Sequence, residues 1–100
     1  MYIIDMNIGF DKDKAALVME KHGVDMEAVR TEILEGRFDI DEVRNQDGHP
    51  GQRMFVVIVD GYAVCAPFVA EDDGNYFLKT AFRNRIYQRR YEDGTLEIPV

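Results

Sequence analysis

The sequence lacks the features that mark secreted, membrane-spanning or disulfide-bonded proteins. Its single cysteine, Cys65, cannot form a disulfide within the chain. No run of about 18 apolar residues is present, which argues against a membrane-spanning helix. The start, MYIIDMNIGFDKD, has no basic region followed by a long apolar run, so we expect no signal peptide. These absences favour a cytoplasmic domain without a membrane partner.

Several motifs that bind cofactors or carry catalysis are also missing. There is no Gly-rich phosphate loop, no Ser-centred elbow and no paired-cysteine motif. The two histidines, His22 and His49, have no Cys or carboxylate at ligand spacing. We therefore expect neither a metal nor a cofactor, and we interpret Cys65 as a small buried hydrophobe.

The overall composition predicts one acidic globular domain covering residues 1–100. A hydrophobic share of 46% is ordinary for a chain of 100 residues with one packed core. The formal net charge is -7 and the pI is about 4.7, which argues against indiscriminate nucleic-acid binding. A local basic patch in this negative surround remains compatible with the composition.

Periodicity and capping residues predict the secondary structure. The predicted elements, in chain order, are a strand over Tyr2–Ile8, a helix over Lys12–Lys21 capped by Asp11, a second helix capped by Asp25 with an apolar stripe of Met26, Val29, Ile33 and Leu34, strands over Gln52–Val59, Tyr62–Val69 and Asn75–Ala81, and a helix over Asn84–Tyr91. Helices followed by a run of strands indicate an α+β fold: an N-terminal strand and two helices, then an antiparallel β-meander and a short C-terminal helix.

Smaller signals refine this order. Asp60-Gly61 predicts a type I′ hairpin turn, since both turn positions need positive φ. Pro67 has no N–H to donate, which suggests a bulge or an edge at that point of its strand. Phe38, Ile40 and Val43 suggest a short strand or turn, and the tail TLEIPV is either an edge strand or loose.

The charge is concentrated in one segment, Asn75–Tyr91. It holds Lys79, Arg83, Arg85, Arg89 and Arg90 and has no Asp or Glu, so it carries +5 and leaves -12 on the rest of the chain. Such asymmetry favours an anion-binding surface, with RNA phosphate as the expected ligand. If five cations contact single-stranded RNA, log affinity should fall against log salt with a slope of about -3.5. The alternative is a solvated helix face whose arginines pair with the abundant carboxylates.

The last helix is the expected centre of this surface. Arg85 and Arg89 share one side and Tyr87 and Tyr91 another. Arg83 and Arg85 lie at the helix start, where cations oppose the helix dipole but can hold a phosphate together with the backbone N–H groups. We expect RNA to contact the residues that line this surface, namely Arg83, Arg89, Arg90 and Tyr87.

Three further residues complete the predicted site. Lys79 can reach the helix start from its strand, and Arg53 can lie across the sheet from Lys79, although a strand-end arginine in water is the alternative. The His22 imidazole suits proton transfer near neutral pH, but a histidine also suits the negative end of the first helix.

Three stretches of the sequence resemble the BrnT-like toxins of bacterial type II toxin–antitoxin systems, in the RelE/ParE superfamily. They are Phe10-Asp11 with the block KHGVDMEAV, the central HPGQRMFVVIVDGYAVCAPFV, and FLKTAFRNR near the end. The family places a lysine on the strand and an arginine at the entry to the last helix, and Lys79 and Arg85 match these positions. The resemblance covers roughly residues 8 to 91.

The resemblance implies a RelE-like fold, cleavage of messenger RNA and neutralisation by a cognate antitoxin, expected to be a small DNA-binding protein. The RNA would be free or ribosome-associated, and the assembly a homodimer or a toxin–antitoxin hetero-oligomer. We expect a metal-free endoribonuclease in which Lys79, Arg53 and Arg85 stabilise the phosphoryl charge during 2′-hydroxyl attack, and His22 or Tyr91 transfers protons. Two alternatives are a non-enzymatic RNA- or protein-binding module, and a basic patch that an acidic antitoxin segment covers.

Overall fold

Three helices and a mixed six-stranded sheet make up the computed structural model, which describes residues 6–43, 51–71 and 74–99. The elements in chain order are β1 (Asn7–Gly9), α1 (Lys12–His22), α2 (Met26–Leu34), β2 (Asp39–Glu42), β3 (Arg53–Val59), β4 (Tyr62–Ala70), β5 (Asn75–Leu78), β6 (Phe82–Arg83) and α3 (Arg85–Glu92). The predicted α+β class and the order of its elements are confirmed.

The central strands form the predicted antiparallel meander. The spatial order is β1-β5-β4-β3-β2, and β6 also pairs with β4. β1 lies parallel to β5, with Ile8 opposite Tyr76, so the sheet is mixed. Residues 2–5 of the strand predicted at Tyr2–Ile8 lie outside the described residues.

Both N-terminal helices begin where their capping residues predict, and α1 ends at His22, one residue beyond the predicted Lys21. The Asp11 carboxylate accepts two hydrogen bonds from N–H groups of the first turn of α1, at 2.8 and 3.0 Å. Gly23 follows α1 with φ of 65°, a left-handed conformation that glycine adopts without steric cost. The Asp25 carboxylate caps α2 with one hydrogen bond, accepted from the Glu27 N–H at 2.9 Å. Ile33 is buried, whereas Leu34, predicted in the same apolar stripe, is 48% exposed. Leu34 follows Ile33 directly, so its side chain is rotated about 100° around the helix, away from the sheet.

The sheet is covered on both faces. β3 supplies Phe55 and Val57 to the core under α1 and α2, and Met54 and Val56 to the opposite core under α3. This alternation explains why its sequence is almost continuously apolar, as predicted for a strand buried on both faces. The molecule therefore has two hydrophobic cores, one on each face of the sheet.

The β3–β4 hairpin closes on the predicted turn. Asp60 has φ of 53° and Gly61 has φ of 76°, the two positive values that a type I′ turn requires. The turn fixes the register of the hairpin from Val59 opposite Tyr62 to Arg53 opposite Phe68. Arg53 and Phe68 therefore lie side by side at the far end.

The third meander strand is interrupted, although the sequence predicts one continuous strand over Asn75–Ala81. β5 pairs with the second half of β4 and β6 with its first half, and the chain between them leaves the ladder. The break faces Pro67, whose carbonyl accepts a hydrogen bond from the Lys79 N–H at 2.8 Å. Pro67 has no N–H to return, so the ladder cannot continue there.

The C-terminal region covers the second face of the sheet. α3 begins one residue later than predicted because Asn84 is its N-cap, accepting from two backbone N–H groups at 2.9 and 3.1 Å. In the tail, Leu96 is buried and Ile98 packs beside it, so the described part of the tail forms neither a strand nor a loose end. No helix in the described residues is both long and apolar enough to cross a membrane.

Candidate anion-binding cleft

A cleft of about 930 Å³ opens where the start of β3, the break after β5 and the start of α3 meet. Its lining is largely apolar, with a few polar groups at the break and at the helix start. The lining residues are Val43, Gly51, Gln52, Arg53, Met54, Pro67, Phe68, Val69, Ala70, Lys79, Thr80, Phe82, Asn84 and Tyr87. Pockets of this size and composition are typical small-molecule or nucleotide sites.

Lys79 is an exposed cation of this cleft, and the geometry of the sheet explains the direction of its side chain. Its neighbour Leu78 is fully buried in the core under α1 and α2, so alternation along the strand turns Lys79 toward the α3 side. Its backbone is held by the bond to Pro67. Within residues 6–43, 51–71 and 74–99, the Lys79 ammonium forms no ion pair, so its charge is available to a ligand.

Arg53 lines the same cleft but leaves the sheet on the other side. It is opposite Phe68 in the β3–β4 register, and its guanidinium carbon lies 5.4 Å from the centre of the Phe68 ring. Phe68 belongs to the core under α1 and α2. Arg53 and Lys79 thus both line the cleft at one end of the sheet, although strand alternation directs their side chains to opposite faces.

Tyr87 and Arg90 form a cluster with Asp41 at the wall of the cleft. The Tyr87 hydroxyl donates a hydrogen bond to the Asp41 carboxylate at 2.5 Å. Burial, followed by this hydrogen bond, raises the pKa of Tyr87 well above its ordinary value. Arg90 lies 3.9 Å from the same carboxylate and 5.1 Å from the Tyr87 ring centre. Asp41 reaches α3 because it is opposite Met54, which packs on this face.

The remaining cations lie away from the cleft. The Arg83 guanidinium lies 5.9 Å from the Tyr62 ring centre and close to Gly23, at the end of α1 beside His22. Arg85 and Arg89 are exposed on α3 and do not line the cleft. Of the five cations in Asn75–Tyr91, only Lys79 therefore lines the cleft, and the five do not form one continuous surface there. The cause is that β6 and α3 point successive cations in different directions.

The two residues expected to transfer protons are not in the cleft either. His22 is the last residue of α1, and Tyr91 is 40% exposed on α3. Neither residue lines the cleft. His49 lies outside the described residues.

Sequence reasoning missed three polar residues of the cleft, Gln52, Thr80 and Asn84. Thr80 follows Lys79 in the break, and Asn84 caps α3. The signal for Thr80 was Pro67 on the neighbouring strand, and the signal for Asn84 was the N-cap preference for Asn. Among the described residues, no group of three His, Cys, Asp or Glu side chains could hold a metal ion.

The fold is shared with a ribonuclease toxin of known structure. That protein is BrnT from Brucella abortus, whose crystal structure at 1.1 Å resolution matches with a TM-score of 0.59. The match covers 79% of this chain and 96% of that chain, at 15% sequence identity. No protein-family model and no curated protein matches the chain. The resemblance found in the sequence is thus confirmed as a likeness of fold.

Proposed function

We propose that this chain is the toxin of a type II toxin–antitoxin system and cleaves single-stranded RNA in the cleft beside Lys79. The observation that carries the proposal is an exposed ammonium group, without an ion pair in the described residues, at the rim of a nucleotide-sized cleft. The fold shared with a ribonuclease toxin supports it.

The proposed reaction is attack of a ribose 2′-hydroxyl on the adjacent phosphate. The 2′-oxygen bonds to phosphorus and gives its proton to solvent water. The bond to the 5′-oxygen breaks, that oxygen takes a proton from water, and the products carry a 2′,3′-cyclic phosphate and a 5′-hydroxyl. Lys79 would stabilise the charge that develops on the phosphoryl oxygens, which is the largest contribution in many such sites. Arg53 would add a weaker attraction from the other side of the sheet, because its side chain turns away from Lys79.

The geometry supports an electrostatic role more strongly than the proton transfers expected of His22 and Tyr91, since neither lines the cleft. Arg85 would likewise contribute only long-range attraction. An antitoxin that covers the cleft would inhibit the enzyme in the cytoplasm by excluding RNA. A small DNA-binding protein encoded in the neighbouring reading frame would fit this partner.

The test uses a labelled single-stranded RNA and matched strands with one 2′-deoxy nucleotide at each cleavage position. We expect the purified protein to cleave the RNA in EDTA, to leave the deoxy positions intact, and to produce cyclic phosphate ends visible by mass spectrometry. Products with 5′-phosphate ends, or cleavage that continues at deoxy positions, would contradict the proposed reaction.

A non-enzymatic binding module is the second candidate, and one observation favours it. Among the described residues that line the cleft, no His, Asp or Glu is present to transfer a proton. In the same assay this module would bind the RNA, seen as a shift in fluorescence anisotropy, and leave it uncut.

A further inference from the structure

The break between β5 and β6 is a one-residue β-bulge. On β5, Phe68 is opposite Leu78, whereas on β6 Val64 is opposite Arg83, so the pairing of the two strands with β4 is out of phase by one residue. One extra residue is therefore inserted after Leu78 and before Phe82. Bulges of this kind redirect side chains and are common next to functional sites.

The bulge leaves backbone donors without acceptors. Within the described ranges, the N–H groups of Thr80 and Ala81 have no hydrogen-bond acceptor, although both neighbours in the ladder, Lys79 and Asn84, donate to β4. Thr80 lines the cleft and Ala81 is buried. A partly buried N–H that lacks an acceptor is costly unless water or a ligand satisfies it.

The other donors of the cleft lie close to Thr80 in the chain. Lys79 contributes its ammonium, and Thr80 adds a hydroxyl that forms no hydrogen bond to any described residue. Asn84 accepts with its side-chain oxygen at the helix cap, which leaves its amide NH₂ as a donor. A ligand rich in acceptors, carrying negative charge, suits this set of donors.

We propose that the bulge is a phosphodiester cradle in which Thr80 binds a nonbridging phosphate oxygen through its N–H and hydroxyl, next to the Lys79 ammonium. This inference rests on the proposed function for its ligand, RNA, and adds a binding residue to it. Pro67 helps to maintain the bulge, because a residue with an N–H at that position could donate a hydrogen bond to the opposite strand and restore regular pairing.

The test measures binding separately from cleavage. We would titrate the full chain, labelled with ¹⁵N, with inorganic phosphate and with an all-2′-deoxy single-stranded trinucleotide, which the proposed reaction cannot cut. We expect the Thr80 amide proton to move downfield with both probes. Thr80→Val keeps the branched shape and removes the hydroxyl, so trinucleotide affinity should fall about tenfold. Thr80→Ser should bind within about twofold of the parent chain.

Deletion of Thr80 is the sharper variant, because removing one residue brings β5 and β6 into the same phase on β4. We expect the deleted chain to fold, as monitored by its amide spectrum, to keep Lys79, and to lose trinucleotide binding. If that chain does not fold, Thr80→Val and the amide shift decide the question.

The outcomes separate the cradle from the ribonuclease. RNA cleavage together with a silent Thr80 amide and unchanged binding by Thr80→Val would overturn the cradle and leave the proposed function standing. A clear Thr80 shift and weaker Thr80→Val binding, in a chain that does not cut RNA, would support the cradle and remove the ribonuclease.

Discussion

Lys79 and Arg90 come from the same basic segment of the chain, but the structure gives the two charges different surroundings. Lys79 stands at the cleft beside the bulge, and its ammonium contacts no carboxylate or ring in the described residues. Arg90 lies over the Tyr87 ring and 3.9 Å from Asp41, so part of its charge is already compensated. Equal charges in the sequence are therefore not equal as ligand-binding groups.

The difference arises from where the nearest carboxylate lies. Asp41 is on β2 at the sheet edge, and its pairing opposite Met54 turns it toward the face that α3 covers. The bulge lies on the opposite side of β4 from β3, and β2 lies beyond β3. Distance across the sheet thus separates Lys79 from the acid that holds Arg90.

The largest expected effect comes from exchanging each of the two cations for methionine, which keeps much of the aliphatic chain. Lys79→Met should slow RNA cleavage by about 100- to 1,000-fold, the usual cost of removing one charge-stabilising donor, with little change in stability. Arg90→Met should leave cleavage within about threefold of the parent rate. It should lower the free energy of unfolding by about 0.5–1.5 kcal/mol through the lost ion pair and ring contact.

We would measure the initial rate of RNA cleavage and, by urea unfolding, the free energy of unfolding for both variants and the parent chain. Lys14→Met is a matched control, because Lys14 is an exposed lysine on α1 that does not line the cleft. Equal losses of rate in Lys79→Met and Arg90→Met would show that the Asp41 cluster belongs to the site and would erase the contrast. Full activity of Lys79→Met would remove the cleft from the proposed function.

The sequence predicts the local part of this contrast and not the long-range part. Asp11, Asp25 and Asn84 cap their helices through neighbours two or three positions away, so local pattern is sufficient. The Asp60-Gly61 turn is equally local. These features fix the α+β order, which explains why the fold could be predicted while the site was predicted only in part.

The missing parts depend on pairing between distant segments. Arg90 meets Asp41 from 49 positions away, and no periodicity within either element indicates that contact. The bulge requires the register of β4 against both β5 and β6, of which Pro67 gives only a hint. Arg53 lines the cleft together with Lys79, but the direction of its side chain depends on the alternation that the hairpin turn imposes.

A second prediction concerns the stability of the fold at alkaline pH, which depends on the Cys65 thiol near Asp41. Burial, and then the charge of Asp41, raises the pKa of the Cys65 thiol from 9.0 to about 12. Above pH 9 the unfolded chain loses this proton while the folded chain keeps it. Because the folded state then binds more protons, its stability is complete below about pH 9 and falls as the pH rises toward 12.

Urea unfolding at pH 8 and pH 10 measures this loss. One such thiol should lower the free energy of unfolding by about 1 kcal/mol between pH 8 and pH 10. Cys65→Ala should remove that part of the pH dependence. Tyr87→Phe is the companion variant, since the raised pKa of Tyr87 acts in the same direction above its ordinary value of 10.0. Identical pH dependence in Cys65→Ala and the parent chain would show that the thiol does not contribute.

The smallest expected effect belongs to Arg85 and Arg89, the exposed cations of α3 that are outside the cleft. If only Lys79 and Arg53 face the bound phosphates, the slope of log affinity against log salt should be about -1.4 instead of the -3.5 expected from five cations. Replacing both α3 arginines with alanine should then change the affinity for an all-2′-deoxy single strand, long enough to offer five phosphates, by less than about threefold. The slope should stay nearly constant, because charges outside the contact act only through a screened field. Anisotropy titrations at about 50, 100 and 200 mM salt, two successive doublings, distinguish the two slopes. A slope near -3.5 whose magnitude decreases by about 1.4 in the double variant would mean that RNA extends from the cleft onto α3. In that case Arg85 and Arg89 would bind phosphate directly, and the difference between Lys79 and the other cations of the segment would be small.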